Sequence, residues 1–167
     1  MPKLIKLHGG AADFANDAFV LATEEDGVPA SGGVILSLAQ FKAEGQALVD
    51  AGRSVGVLLA PDEAVEDIAD DLPHLALVAI AFPKYRDGRG YSSARLLRDR
   101  YGYDGEIRAV GDVLREQANH MVRCGFDAFE PADGSTPQEW LEAAHRYSHV
   151  YQRGADARPP AYVERSH

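Results

Sequence analysis

The sequence predicts an α/β protein in which about five mostly parallel strands alternate with helices in one open or curved sheet, like part of a barrel, with a small N-terminal hairpin. Three observations carry this expectation. Short apolar runs near residues 34, 55, 75, 106 and 127 are separated by stretches with helical spacing. The run Leu75 to Phe82 is continuous rather than alternating, as in a strand covered on both faces. Glycines or prolines follow most of these segments, at Gly52, Pro61, Gly102 and Gly125, where chain reversals belong. Such alternation favours right-handed crossovers, and five units are too few to close an eight-stranded barrel. The 167 residues suit one domain. It is expected over residues 1–153, followed by a loosely held tail over 154–167 that is rich in Pro, Ala and charge.

In chain order, residues 3–7 and 18–22 are apolar enough to pair as a hairpin or an edge. Glu24 to Gly33 reads as a loop. Val34 to Leu38 is the first strand of the repeating series, and Ala39 to Ala51 is a helix with Phe41, Leu48 and Val49 inward. Ser54 to Ala60 is the next strand. Asp62 stands as an N-cap for a helix facing inward through Val65, Ile68 and Leu72. After Leu75 to Phe82 and a long connection, Ser92 is placed to cap a helix reaching Tyr101. Glu106 to Gly111 is a fourth strand, Asp112 caps a helix through Cys124, and Phe126 to Glu130 is a fifth strand. Thr136, Pro137 and Glu139 form a capping-box signature at the start of a helix that carries Trp140, Leu141, Ala144, Tyr147 and Val150.

Charge narrows the function classes. The net charge of −9 argues against holding DNA or an anionic membrane through the overall field. One cysteine, Cys124, allows no disulfide within the chain, and no apolar segment reaches membrane-spanning length; a cytoplasmic location is the expectation. Yet nine of the 17 basic residues lie between Lys84 and Arg123, against six acids in the same window. A locally positive region in an acidic protein suits a small anion or an anionic cofactor. Equally, these are charges that solvated helix faces carry as pairs such as Arg95–Asp99.

The connection from Pro83 to Ser92 is the centre of that window. Lys84, Arg86 and Arg89 are cations suited to a sulfite, sulfate, phosphate or carboxylate. Gly88 and Gly90 allow backbone to approach a ligand, and Ser92 marks a helix N-terminus with unpaired amides. Asp87, Arg108 and Asp112 complete the expected anion-binding set as orienting groups. Gly88-Arg89-Gly90-Tyr91-Ser92-Ser93 also approximates a dinucleotide fingerprint, with Ser93 in place of the third glycine. A nucleophile-elbow reading of Ser92 lacks the sharp strand-to-helix turn. His120 with Cys124, and His145 with His149, are i,i+4 pairs, but two ligands make no zinc site, and no metal is expected.

Phe82 to Ser92, Glu106 to Leu114 and Arg123 to Asp127 resemble the signature of a bacterial family known as domain of unknown function 934, a resemblance that spans about Val34 to Phe129. The resemblance implies an oxidoreductase description and a setting in assimilatory sulfite reduction. It brings no catalytic residues and no defined cofactor. Three functions follow: an accessory protein of sulfite or sulfate assimilation with an anion-binding loop, a nicotinamide- or flavin-dependent oxidoreductase, or a non-catalytic module docking on sulfite reductase components. A homodimer is the default assembly.

Overall fold

The computed structural model describes residues 3–147, 150, 152–156 and 158–164. One eight-stranded sheet organises them, in the order β2-β1-β8-β7-β6-β5-β4-β3. The strands are β1 (Leu4–His8), β2 (Ala11–Ala15), β3 (Phe19–Leu21), β4 (Gly33–Ser37), β5 (Val55–Leu59), β6 (Leu77–Phe82), β7 (Glu106–Gly111) and β8 (Ala128–Phe129). From β3 to β8 the strands are parallel and follow one another in chain order. The β1–β2 hairpin closes the row, with β1 antiparallel to β8 through Ile5 opposite Phe129. The five expected strands are therefore β4 to β8, and three more precede them.

The N-terminal hairpin pairs differently from expectation. The partner of β1 is Ala11–Ala15, and the apolar stretch around Phe19–Leu21 lies at the far edge beside β4. The turn explains why. Gly9 and Gly10 both take positive φ, +50° and +92°, as a two-residue hairpin turn needs.

A consequence of this order is that β2 and β3, the two edges, are joined by only Asn16, Asp17 and Ala18. Laid flat, eight strands would separate those edges by roughly 34 Å. Four Cα–Cα steps reach at most about 15 Å. The sheet must therefore curl into an open half-barrel.

Strand alternation then assigns two faces. Val34, Leu36, Val57, Val78, Ile80, Phe82, Ile107 and Ala109 join the main core with the helices. These are α1 (Leu38–Gln40, Phe41–Gly45 and Gln46–Asp50, continuous, with a π turn in the middle), α2 (Arg89–Arg95 continuing through Leu96–Arg100), α3 (Arg115–Gln117 continuing through Ala118–Cys124) and α4 (Pro137–Ala144). The residues between them in sequence face the inside of the curl. Ile35, Leu77 and Ala79 form a small apolar cluster there with Phe19, Leu58 and Val110. Val65–His74 winds as a 3-10 segment with Val65, Ile68 and Leu72 buried as expected; its cap position is Ala64 rather than Asp62. The fifth strand of the series is shorter than expected, Ala128–Phe129, and α4 ends at Ala144, short of Tyr147 and Val150. In the tail, α5 (Ala161–Glu164) follows a backbone bridge between Val150 and Pro160. No helix among the described residues is long and apolar enough to cross a membrane.

The rest of the curl interior is charged. Arg108, in the middle of β7, has no solvent exposure. Its Nε donates to Glu106 (2.8 Å), Nη1 to Asp17 (2.6 Å) and Glu130 (3.2 Å), and Nη2 to Asp17 (3.1 Å). Lys6 pairs with the other oxygen of Glu106 at 2.6 Å. Burial alone would lower the Arg108 pKa, but the Asp17 and Glu106 carboxylates outweigh it and hold the guanidinium charged. Asp17 also accepts the Phe19 amide at 3.1 Å, so the short edge-to-edge link is pinned to the strand it crosses. Because three carboxylates would lose their buried cation, Arg108→Met is expected to destabilise the protein by about 3–5 kcal/mol in urea unfolding, with partial recovery in the Arg108→Met/Asp17→Asn double variant.

Candidate functional site

The parallel strands β4 to β8 end on one rim, the side where α/β sheets place ligands. Two features meet there: the connection from β6 to α2, and a cavity beside β8.

The connection is held by the segment that follows β7. The Asp112 amide donates to Phe82 O at 2.7 Å, and the Asp112 carboxylate accepts the Tyr85 amide at 2.8 Å. The buried Gln117 amide group donates to Tyr85 O (3.3 Å) and Tyr91 OH (3.0 Å), while its oxygen accepts the Leu114 amide (2.9 Å). This crossing brings β7 so close to β6 that a Cβ on Gly111 would lie 2.4 Å from Phe82 O, and its φ is +99°. Only glycine fits both conditions. Asp112 thus anchors the loop and does not cap α3, whose first turn starts after Leu114.

The helix begins earlier than expected. Its cap position is Gly88 and its first residue Arg89, so Ser92 lies inside the first turns. The anion at this helix start is the protein's own. Asp87 Oδ1 accepts the Arg89 amide (3.2 Å) and Nε (3.0 Å), and Oδ2 accepts Nη2 (2.8 Å). Those hydrogen bonds hold the Asp87 carboxyl below its ordinary range and raise the Arg89 guanidinium. Gly90 is buried, and a Cβ there would come within 2.8 Å of Ile80 Cγ2 and Phe82 Cζ, so its small size serves helix-on-sheet packing.

Of the expected anion-binding residues, the structure brings Lys84, Arg86, Asp87, Gly88, Arg89, Gly90 and Asp112 onto this one connection and its anchor. Ser92 stands a turn farther along α2, and Arg108 lies elsewhere, sealed inside the curl. Lys84 and Arg86 differ from the other cations of the Arg-rich window. Arg89, Arg95, Arg98, Arg100, Arg108, Arg115 and Arg123 all pair with carboxylates. Lys84 and Arg86 are exposed, and neither has a carboxylate within ion-pair distance among the described residues. Between them Tyr85 is 42% exposed.

The second feature is a cavity of about 740 Å³ whose lining includes Gly111, Glu130, Ala132, Ser135 and Thr136 together with Lys3 and Phe14. Glu130 follows β8 directly and is the third carboxylate on Arg108. Desolvation pushes its carboxyl above the ordinary glutamate value, against the pull of Arg108. Glu130 is not among the expected site residues; an acid at the end of an apolar strand is the signal that points to it. Gln117 and Asp17 carried no such signal, because their partners are 32 and 91 residues away.

The cysteine is buried at the end of α3. Burial raises the Cys124 thiol and lowers the His120 imidazole, whose Nε2 is 3.9 Å from the sulfur. Among the described residues no three His, Cys, Asp or Glu side chains gather to hold a metal ion. His149, the partner expected for His145, lies outside the described residues.

A family described as bacterial protein of unknown function (DUF934) matches residues 56–162. The chain belongs to this family. The match runs from within β5 to within α5, so the rim loop, its Asp112 anchor, Arg108 and Glu130 all lie in the matched residues, whereas the hairpin, β3 and β4 fall outside them. No curated protein matches the chain.

Two outcomes test these assignments. Gly90→Ala is expected to cost about 1–3 kcal/mol by forcing Ile80 and Phe82 to move, while Ser92→Ala stays within about 0.5 kcal/mol, both by chemical denaturation. A carboxyl raised on folding favours the folded state most below its unfolded value and loses that contribution as pH rises. Stability measured across a pH series is therefore expected to fall less steeply above pH 4.5, the ordinary glutamate value, in Glu130→Gln than in the unsubstituted protein.

Proposed function

We propose that the protein is an accessory binding protein of sulfite or sulfate assimilation, and that its 83–88 loop takes an anionic group. One observation carries this reading: Lys84 and Arg86 are two exposed cations with no carboxylate partner among the described residues, on a loop fixed from below by Asp112 and Gln117. A loop so anchored presents its charges without a large ordering cost. The guanidinium of Arg86 suits a bidentate oxyanion and Lys84 adds a point charge. Arg89 takes no direct part, because Asp87 already neutralises it. The sulfur-assimilation setting comes from the family resemblance, and it makes sulfite and sulfate the first ligands to try.

A second reading is favoured by the same loop's shape. Tyr85 stands exposed between the two cations, and Tyr and Arg are enriched in protein interfaces. A non-catalytic module docking on an acidic face of a sulfite reductase component would use this surface. The oxidoreductase reading has less support at this loop, since Gly90 of the dinucleotide-like stretch is accounted for by packing.

The experiment is a titration of sulfite, sulfate and adenylyl sulfate into the protein, its Lys84→Glu/Arg86→Glu variant and Arg89→Ala. Charge reversal is expected to weaken binding at least roughly tenfold, given about 1.5–3 kcal/mol per charged hydrogen bond. Arg89→Ala is expected to bind almost as before. Equal binding by the unsubstituted and charge-reversed proteins overturns the anion reading. No binding of any anion, together with reductase capture that is lost in Tyr85→Ala, moves the assignment to the docking reading.

A further inference from the structure

The cavity beside β8 is separate from the 83–88 loop, and its polar groups have a particular bias. The hydroxyl protons on its wall are committed within the protein. Ser135 Oγ donates to Asp133 Oδ1, and Thr136 Oγ1 donates to Glu139 Oε2 at 3.0 Å while accepting the Glu139 amide. The start of α4 is likewise closed, because the Glu139 carboxylate also accepts the Thr136 amide at 2.9 Å. The free polar capacity on that wall is an acceptor. Glu130 gives one oxygen to Arg108, and its other oxygen has no hydrogen-bond partner among the described residues. Glu130 is thereby the cavity-lining member of a buried cluster in which Arg108 and Lys6 face Asp17, Glu106 and Glu130. The remaining wall is apolar, with Phe14, Pro131 and Ala132, and Lys3 sits with its ammonium 5.0 Å from the Phe14 ring centre. About 740 Å³ lies within the size range of small-molecule sites.

We infer that this cavity binds a small ligand with an apolar body and a hydrogen-bond-donating head, a primary amine before an alcohol, whose donor meets the free oxygen of Glu130. The site sits at the carboxyl ends of β7 and β8, where curled α/β sheets hold ligands. Arg108 acts as a positioning residue by fixing the Glu130 carboxylate through its first oxygen. The amine is favoured because an ammonium donating to a carboxylate makes a charge-assisted hydrogen bond, stronger than an alcohol's.

Three probes with one body and different heads test this: benzylamine, benzyl alcohol and benzoate, titrated calorimetrically into the full chain. The expected order of affinity is benzylamine, then benzyl alcohol, then benzoate. Glu130→Gln is expected to weaken benzylamine by roughly tenfold to a hundredfold, the value of one charged hydrogen bond, and to leave benzyl alcohol less affected. Ala132→Trp fills the cavity without touching the Arg108 cluster and is expected to abolish binding of both. Should Glu130→Gln fail to fold, the head-group order and the Ala132→Trp result decide. Benzoate binding most tightly, binding that survives Ala132→Trp, or no binding of benzylamine to the unsubstituted protein overturns the inference. None of these outcomes depends on Lys84 or Arg86.

Discussion

Three residues between the two edges of an eight-stranded sheet are the constraint on which the rest of the architecture rests. Because Asn16 to Ala18 cannot stretch across a flat sheet, the sheet curls, and curling creates an inside. An inside must be filled. On one side it is filled by Ile35, Leu58, Leu77, Ala79 and Val110, and on the other by Arg108 and its carboxylates. An isolated buried guanidinium would be costly, and here four of its five N–H groups have partners. The same arginine joins the link itself through Asp17 to the floor of the rim cavity through Glu130. Structure and candidate site therefore share one electrostatic centre.

The distribution of cations follows the two ends of the barrel. At the end where the strands begin, Arg98 binds the Tyr103, Gly105 and Gly125 carbonyls and pairs with Asp127, a purely constructional role. At the end where they finish, Lys84 and Arg86 have no carboxylate partner among the described residues. A dense run of arginines in the sequence thus resolves into many that hold the molecule together and a pair available to something else. The helix start that looked ready for an external anion is satisfied by Asp87, a local carboxylate two residues from its partner.

The alternation of strands and helices was legible because each element owes its pattern to neighbours close in sequence. The strand Glu106–Gly111 and the capping box at Thr136 fall where the residues place them. What the sequence hid is long-range. Ser92 and Asp112 are good cap residues by type, but tertiary hydrogen bonds around Tyr85 start α2 at Arg89 and divert Asp112 to the loop. The sequence groups Arg108 with the loop as an orienting residue, because nothing local reveals that its strand position faces inward, toward an aspartate 91 residues away. The Gly9-Gly10 turn was readable in principle, and it sets the hairpin that displaced the pairing expected between the first two apolar stretches.

The pairing of β1 with β8 has a bearing on how the chain is made. Ile5 leaves the ribosome early, yet its neighbour Phe129 is among the last strand residues to be synthesised. Throughout most of translation β1 has only β2 to pair with, whereas β3 to β7 emerge in the order in which they lie side by side. Sealing the curl, with Asp17 reaching Arg108, must come afterwards, and so distant a closure is the slow kind. Phe14, Val20 and Leu21, half-exposed even in the finished molecule, lie on the two edge strands that flank this closure.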